Sequence, residues 1–284
     1  MESVAFFCYN SLWQVKIMSK YLTVCDLDES LLTRDKKIKR KSIKFIHKYI
    51  NKGNYFILCT GRPYSGMIRF YNTLKINMPF ITDNGASIYY PDGKSIRFDI
   101  DKERFITFLK TIDEAILSGI STVDRRVVMQ NSNDIPFWIK HFDNIEYVKE
   151  GKLSDLISEN PILPNLWLYE DKIELFEKEA AKYTDLFAYR NWGLYEGKWS
   201  IEIFSPNASK GLAMQYLAKE LGIDEDKTCA FGDQRNDLSM IEMAHYGVAM
   251  INAVDELKQA AKYQTKKDNN HNGVVHFIKK NKLF

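Results

Sequence analysis

With 284 residues, 45% of them hydrophobic and 27% charged, the chain can fill one large domain or two ordinary ones and has the make-up of a water-soluble globular protein. The net charge of +3, from 40 basic and 37 acidic side chains, argues against a nucleic-acid partner, which needs a clustered basic face. No apolar stretch reaches the roughly 18–20 residues of a membrane span.

Residues 1–17 are mildly apolar but lack the basic start and small-residue cleavage site of a secretory signal. Met18 stands just ahead of the first strand-like run, so residues 1–17 read as an upstream start or N-terminal extension. Tyr21–Cys25 is that run, and it delivers Asp26-Leu27-Asp28. Two carboxylates where a buried strand emerges make a poor core and a good hard-cation site. The basic run from Lys36 to Lys41 reads as the solvated start of a helix over Ile38–Asn51, closed by Gly53. Tyr55–Cys59 is a second apolar run ending in Thr60-Gly61-Arg62, and Pro63 then opens a helical face through Met67, Phe70 and Leu74. Phe80-Ile81-Thr82 is a third. Short apolar strands separated by helices predict an α/β fold, a Rossmann-like parallel sheet covered by helices on both faces.

The pattern changes after Asn84-Gly85-Ala86. Residues 86–199 carry strand-like pieces (among them Ile88–Tyr90, Val127–Gln130, Ile145–Val148 and Leu166–Tyr169) with helices over about 102–118 and 171–183. They read as an inserted α+β domain, with 18–85 and 200–284 forming the core. Alternation then returns with helix Lys210–Leu221, strand Thr228–Phe231, helix Asp237–Ala244 and strand Val248–Met250, and ends with the helices Asp255–Ala261 and Val274–Lys280. Four cysteines (Cys8, Cys25, Cys59, Cys229) show no paired spacing and imply a reduced, cytoplasmic protein.

In an open parallel sheet, ligands bind beyond the carboxyl ends of the strands. Asp26, Asp28, Thr60, Asp233 and Asp237 are therefore expected in one crevice. Taken singly, each has a bland explanation, since Thr60-Gly61 makes a turn and Asp233 or Asp237 caps a helix. Lys210 opposes the helix dipole at a cost of ~0.3–1 kcal/mol, a penalty that a nearby anion reverses. Together these groups describe a site for a divalent cation and a phosphate.

The ordered set Asp26-Leu27-Asp28-Glu29-Ser30, Thr60-Gly61-Arg62, Lys210-Gly211 and Gly232-Asp233-Gln234-Arg235-Asn236-Asp237 resembles the haloacid dehalogenase-like phosphatases. Three further signatures resemble the Cof-type branch with a type IIB cap: Ile81–Ala86, Val248–Ala253 and Asn272-Gly273-Val274. The resemblance implies Asp26 as nucleophile and Asp28 as general acid and base, with a carboxyl pKa raised by the shared negative site. It implies Mg²⁺ held by Asp26, the Asp28 carbonyl and Asp233, with Asp237 in support. Thr60, Gly61 and Lys210 would hold the phosphoryl oxygens, joined by Leu27, Arg62 and Asn236. Glu29 departs from the glycine usual at its position and is expected to point outward to the helix start or solvent.

The expected substrate is a small phosphorylated metabolite such as a sugar phosphate, with no nucleic acid or membrane partner. The sequence leaves monomer and homodimer equal. A phosphomutase is the alternative enzyme, and a non-catalytic phosphometabolite-binding protein the alternative outside catalysis. Arg190, Asn191, Trp192, Tyr195 and Trp199 of the insert are candidates for choosing the substrate.

Overall fold

Strand and helix alternate from Leu22 onward in the computed structural model, which describes residues 20–123, 126–134 and 148–284. β1 (Leu22–Asp26), α1 (Arg40–Asn51), β2 (Tyr55–Cys59), α2 (Tyr64–Leu74) and β3 (Phe80–Thr82) follow in order. β1 and β2 are buried almost throughout, as strands of a sheet covered on both faces must be. α1 directs Phe45, Ile46 and Tyr49 inward at helical spacing and keeps its lysines outward.

β4 (Ser87–Tyr89) and β5 (Ser95–Arg97) turn back antiparallel and extend the same sheet. The sequence pattern puts residues 87–97 in the insert. Hydrogen bonds place these strands in the first sheet instead, because the three-residue turn Asp83–Gly85 reverses the chain directly after β3.

The second sheet follows α3 (Lys102–Thr111) and comprises β6 (Ile116–Val123), β7 (Arg126–Gln130), β8 (Val148–Glu150) and β9 (Ile162–Tyr169), with α4 (Leu153–Leu156) between the last two. α5 (Ile173–Ala180), β10 (Ala188–Tyr195) and β11 (Lys198–Phe204) complete it. Its order is β10-β11-β9-β6-β7-β8, antiparallel except between β7 and β8. The helix expected over 102–118 stops at Thr111, since the β-branched and small residues of Ile116–Val123 pair with both β7 and β9. Of the expected strand Ile145–Val148, residues 145–147 lie outside the described residues, as does the 1–17 extension. β11 carries the second sheet to Phe204, past the expected boundary at 199.

The chain then returns to the first sheet through α6 (Lys210–Glu220), β12 (Thr228–Gly232), α7 (Leu238–Met243), β13 (Tyr246–Ala249), α8 (Asp255–Ala260), β14 (Tyr263–Gln264) and α9 (Gly273–Lys280). The first sheet runs β14-β13-β12-β1-β2-β3-β4-β5, parallel as far as β3. Each sheet has its own apolar core, one centred on Val24, Ile57 and Phe231, the other on Phe105, Phe108 and Phe176. No helix among the described residues is long and apolar enough to cross a membrane.

Candidate active site

Asp26 is the last residue of β1, and Asp233 follows the last residue of β12. The two strands are parallel neighbours, with Cys25 level with Phe231, so both carboxylates emerge side by side. Here the sheet changes its direction of growth, β2 and β3 on one flank of β1 and β12 to β14 on the other, which opens a crevice at the carboxyl ends.

Lys210 enters this crevice as the first residue of α6, whose N-terminus Ser209 caps by accepting from the Leu212 amide at 3.1 Å. Its ammonium is wholly buried and lies 2.6 Å from Asp26 Oδ1 and 2.6 Å from Asp237 Oδ1. Burial disfavours the charge, yet Asp237 and Asp26 outweigh burial and hold the Lys210 pKa well above its usual value. The local dipole mismatch is thus answered by carboxylates of the protein itself.

Asp237 is used on both oxygens. Oδ1 meets Lys210, and Oδ2 accepts from the amides of Asp233 at 2.8 Å and Gln234 at 3.0 Å. A Cβ at position 232 would lie 2.4 Å from that side chain, so glycine alone lets the strand end approach it. Ser30, where threonine is usual, keeps its hydroxyl in use and donates to Asp233 Oδ1 at 3.1 Å.

Carboxylate oxygens of Asp26, Asp233 and Asp237 lie within 4.8 Å of one another, all buried. Burial raises the Asp26 pKa, and the charges of Asp237 and Asp233 add to the rise against the pull of Lys210. Burial and Asp237 raise Asp233 in the same way. Three carboxylates facing one ammonium leave negative charge uncompensated. Hard oxygen donors so crowded suit a divalent cation such as Mg²⁺.

Asp28 stands apart from this trio. Its carboxylate accepts from Arg62 Nε at 2.7 Å, from a second Arg62 nitrogen at 2.9 Å and from Lys36 Nζ at 2.9 Å. Burial pushes its pKa up, but the hydrogen bonds and charges of Arg62 and Lys36 prevail and bring it down to about 2. The resemblance implies the opposite shift. The direction reverses because Asp28 faces two cations rather than the shared negative site. Lys36, read as part of a solvated helix start, is one of them; its spacing carried no signal of this.

Thr60 follows β2, and its hydroxyl accepts from the Arg62 amide at 3.1 Å, which shapes the turn around Gly61. Asn236 donates to Asn84 Oδ1 at 2.9 Å, and its own buried Oδ1 has no hydrogen-bond partner. Leu27 is fully buried behind Asp26. Glu29 adopts φ +53° and points to Asn269 at 3.0 Å and Lys36 at 3.4 Å. The later signatures brace these loops: the amides of Met250 and Val254 donate to the carbonyls of Gly232 and Asp233, both at 2.9 Å.

Beside Lys210 lies a cavity of about 480 Å³ lined by Asn84, Asn236 and, from the second sheet, Arg190, Glu202 and Phe204. Arg190 sits 5.3 Å from both the Trp192 and Phe204 rings and is ion-paired to Glu202. Of the insert residues singled out by sequence, Arg190 reaches this cavity. Glu202 was missed.

Residues 23–278 match the haloacid dehalogenase-like hydrolase family. Two Bacillus subtilis proteins, YitU and YwtE, are named 5-amino-6-(5-phospho-D-ribitylamino)uracil phosphatases. The chain is 27% identical to YitU, over 91% of this chain and 96% of that protein. It is 29% identical to YwtE, over 89% of this chain and 95% of that protein. The crystal structure of TM0651 from Thermotoga maritima superimposes with a TM-score of 0.77 at 26% identity, covering 92% of this chain and 97% of the other.

Proposed function

Because the chain belongs to the haloacid dehalogenase-like hydrolase family, we propose that it is a Mg²⁺-dependent phosphatase of small phosphorylated metabolites, working through an aspartyl-phosphate. The observation that carries this reading is Lys210 held between Asp26 and Asp237 beside Asp233, at the mouth between β1 and β12.

Asp26 attacks phosphorus, and the ester P–O bond breaks as its oxygen takes a proton from Asp28. Asp28 then removes a proton from water, whose oxygen attacks phosphorus. The bond to Asp26 breaks and inorganic phosphate leaves. Lys210 offsets phosphoryl charge and fixes the Asp26 carboxylate, while Thr60, the Gly61 amide and Asn236 orient the phosphoryl oxygens. Asp26, Asp233 and the Asp28 carbonyl would hold Mg²⁺, with Asp237 in support; the ion supplies charge neutralisation at the phosphoryl group. Arg62 and Lys36 must release Asp28 before it can carry a proton, so substrate binding has to engage Arg62. In this reading the first sheet with its helices, β4 and β5 included, forms the catalytic core, and the unit carrying the second sheet is the cap whose residues select the leaving group.

The test is a panel of phosphorylated metabolites, including 5-amino-6-(5-phospho-D-ribitylamino)uracil, assayed for phosphate release with Mg²⁺ and with a chelator. Release that needs the metal and disappears in Asp26→Asn is expected. Transfer of the phosphoryl group to another position of the substrate without release overturns the hydrolase reading in favour of a mutase.

A further inference from the structure

The turn Asp83–Gly85, prominent in the sequence, has no part in the chemistry just described, yet it lies against all of it. Its backbone is sewn to the loop after β2, the Asp83 amide donating to Arg62 O at 3.0 Å and the Asn84 amide to Thr60 O at 3.1 Å. A Cβ on Gly85 would come within 2.2 Å of the Ser209 backbone and 2.6 Å of the Lys210 nitrogen. A Cβ on Gly61 would come within 2.8 Å of Asn84 Oδ1. The Asn84 side chain thus abuts the Thr60-Gly61 loop while the turn itself, through Gly85, meets the start of α6; Asn84 holds φ +54°.

Its amide is used at both ends. Asn84 Oδ1 accepts from Asn236 Nδ2 at 2.9 Å, and Asn84 Nδ2 donates to Glu202 Oε2 at 3.0 Å. Glu202 belongs to β11 of the second sheet, is 5% exposed, and spends its other oxygen on Arg190. With both oxygens engaged, Glu202 is a strut rather than a substrate ligand. A second tie from the same sheet holds the turn, where Thr122 Oγ1 donates to Asp83 Oδ1 at 3.0 Å.

We propose that Asn84 is a positioning residue. Held by Glu202 across the boundary between the sheets, it sets Asn236 and the Thr60-Gly61 loop at the spacing a phosphoryl group requires. The inference rests on the phosphatase reading. Because Glu202 reaches Asn84 from the second sheet, displacement of that sheet loosens the phosphoryl-binding edge, so binding is tightest when the two sheets are seated as described.

Asn84→Asp, Glu202→Gln and the double variant Asn84→Asp/Glu202→Gln test it, with the inhibition constant of inorganic phosphate and kcat and KM for p-nitrophenyl phosphate as readouts. Asn84→Asp puts two acceptors face to face and is expected to raise the phosphate constant about tenfold or more, as a buried pair left unsatisfied does. Glu202→Gln keeps one acceptor, which can still serve Asn84, but turns its amide nitrogen on Arg190, so the phosphate constant is expected to rise less than in Asn84→Asp. The double variant restores a donor opposite an acceptor, with the amide reversed and the net charge of the wild type, and is expected to recover most of the loss. A merely structural role predicts losses that follow the thermal midpoint and no such recovery. If Asn84→Asp does not fold, Glu202→Ala takes its place: it removes the acceptor, and a phosphate constant raised about threefold or more supports the inference. Phosphate constants unchanged in Asn84→Asp or Glu202→Ala, or a double variant no better than Asn84→Asp, overturn it. Wild type that neither binds nor releases phosphate instead overturns the phosphatase reading, and this inference with it.

Discussion

The Lys210 ammonium lies 2.6 Å from the Asp26 carboxylate and shares no solvent with bulk water, 184 residues away in sequence and in direct contact in the fold. It pairs with two members of the buried trio Asp26, Asp233 and Asp237, the first and the last. Lys210→Met keeps the length and removes the charge. Breaking a buried ion pair by deleting one partner costs about 3–5 kcal/mol, because the other charge stays behind. Lys210→Met should therefore unfold at markedly lower urea than wild type, lose at least about a hundredfold in kcat on the best substrate, and regain more stability from added Mg²⁺ than wild type does. Urea titrations with and without the ion check this; equal gains from Mg²⁺ in both proteins would count against the metal site.

Arg62 and Asp28 make a two-pronged contact at 2.7 and 2.9 Å, and Lys36 adds a third donor at 2.9 Å. Asp28 sits at about 2, below its unfolded value, so it stabilises the fold above roughly pH 4 and that contribution disappears as pH falls through about 2. Arg62→Ala should return the Asp28 titration toward the ordinary carboxylate range. Carboxyl chemical shifts followed by NMR report this directly. A Asp28 titration left near pH 2 in that variant sinks the assignment of Arg62 as its principal partner.

Asp26, Asp233 and Lys210 were legible in the sequence because each stands at a junction that local pattern marks: a strand end, a strand end and a helix start. Register between β1 and β12 then does the rest, since parallel neighbours deliver their ends together. Asp28 was legible as a participant but not in its electrostatic environment. Which way its carboxylate turns depends on Arg62, 34 residues on, and on Lys36, whose loop carries no periodic signal. Glu202 was not legible at all. It occupies an inward position on β11 where an apolar residue is the default, and its partner Asn84 is 118 residues away. The edge strands β4 and β5 were misplaced because a three-residue turn, not a composition change, decides which sheet they join.

Asp83 is the clearest source of pH dependence outside the carboxylate trio. It is buried and accepts from Thr82 at 2.7 Å and Thr122 at 3.0 Å, with no cation beside it among the described residues. Burial lifts its pKa to about 7, more than those hydroxyls lower it. The folded state therefore binds a proton that the unfolded chain has released above about pH 4, so this residue favours folding at low pH and the benefit fades as pH rises through about 7. The slope is at most about 1.4 kcal/mol per pH unit for one proton. Asp83→Asn keeps the shape and removes the titration. Its stability relative to wild type should rise from pH 5 to about pH 7 and level off above that in urea unfolding; a constant difference from pH 5 to pH 7 would show that Asp83 does not titrate there.

Glu29 occupies a left-handed backbone position, φ +53°, where glycine is at no disadvantage and a side chain costs about 1–2 kcal/mol. Its carboxylate is turned toward Asn269 and Lys36, and its carbonyl accepts from Asn252 at 2.8 Å, an interaction any residue retains. The side-chain contacts are partly exposed and contribute roughly 0–1 kcal/mol. Glu29→Ala loses those contacts and keeps the backbone strain, whereas Glu29→Gly loses them and relieves it. The glycine variant should therefore be the more stable of the two by about 1 kcal/mol. Turnover of the glycine variant should stay within about twofold of wild type, since the carboxylate reaches neither Lys210 nor the Thr60-Gly61 loop. Thermal midpoints and steady-state rates for both variants decide the matter. A several-fold gain in rate for Glu29→Gly would mean that Glu29 opposes phosphate binding after all, its charge acting across the short distance to Asp233, whose pKa it already helps to raise.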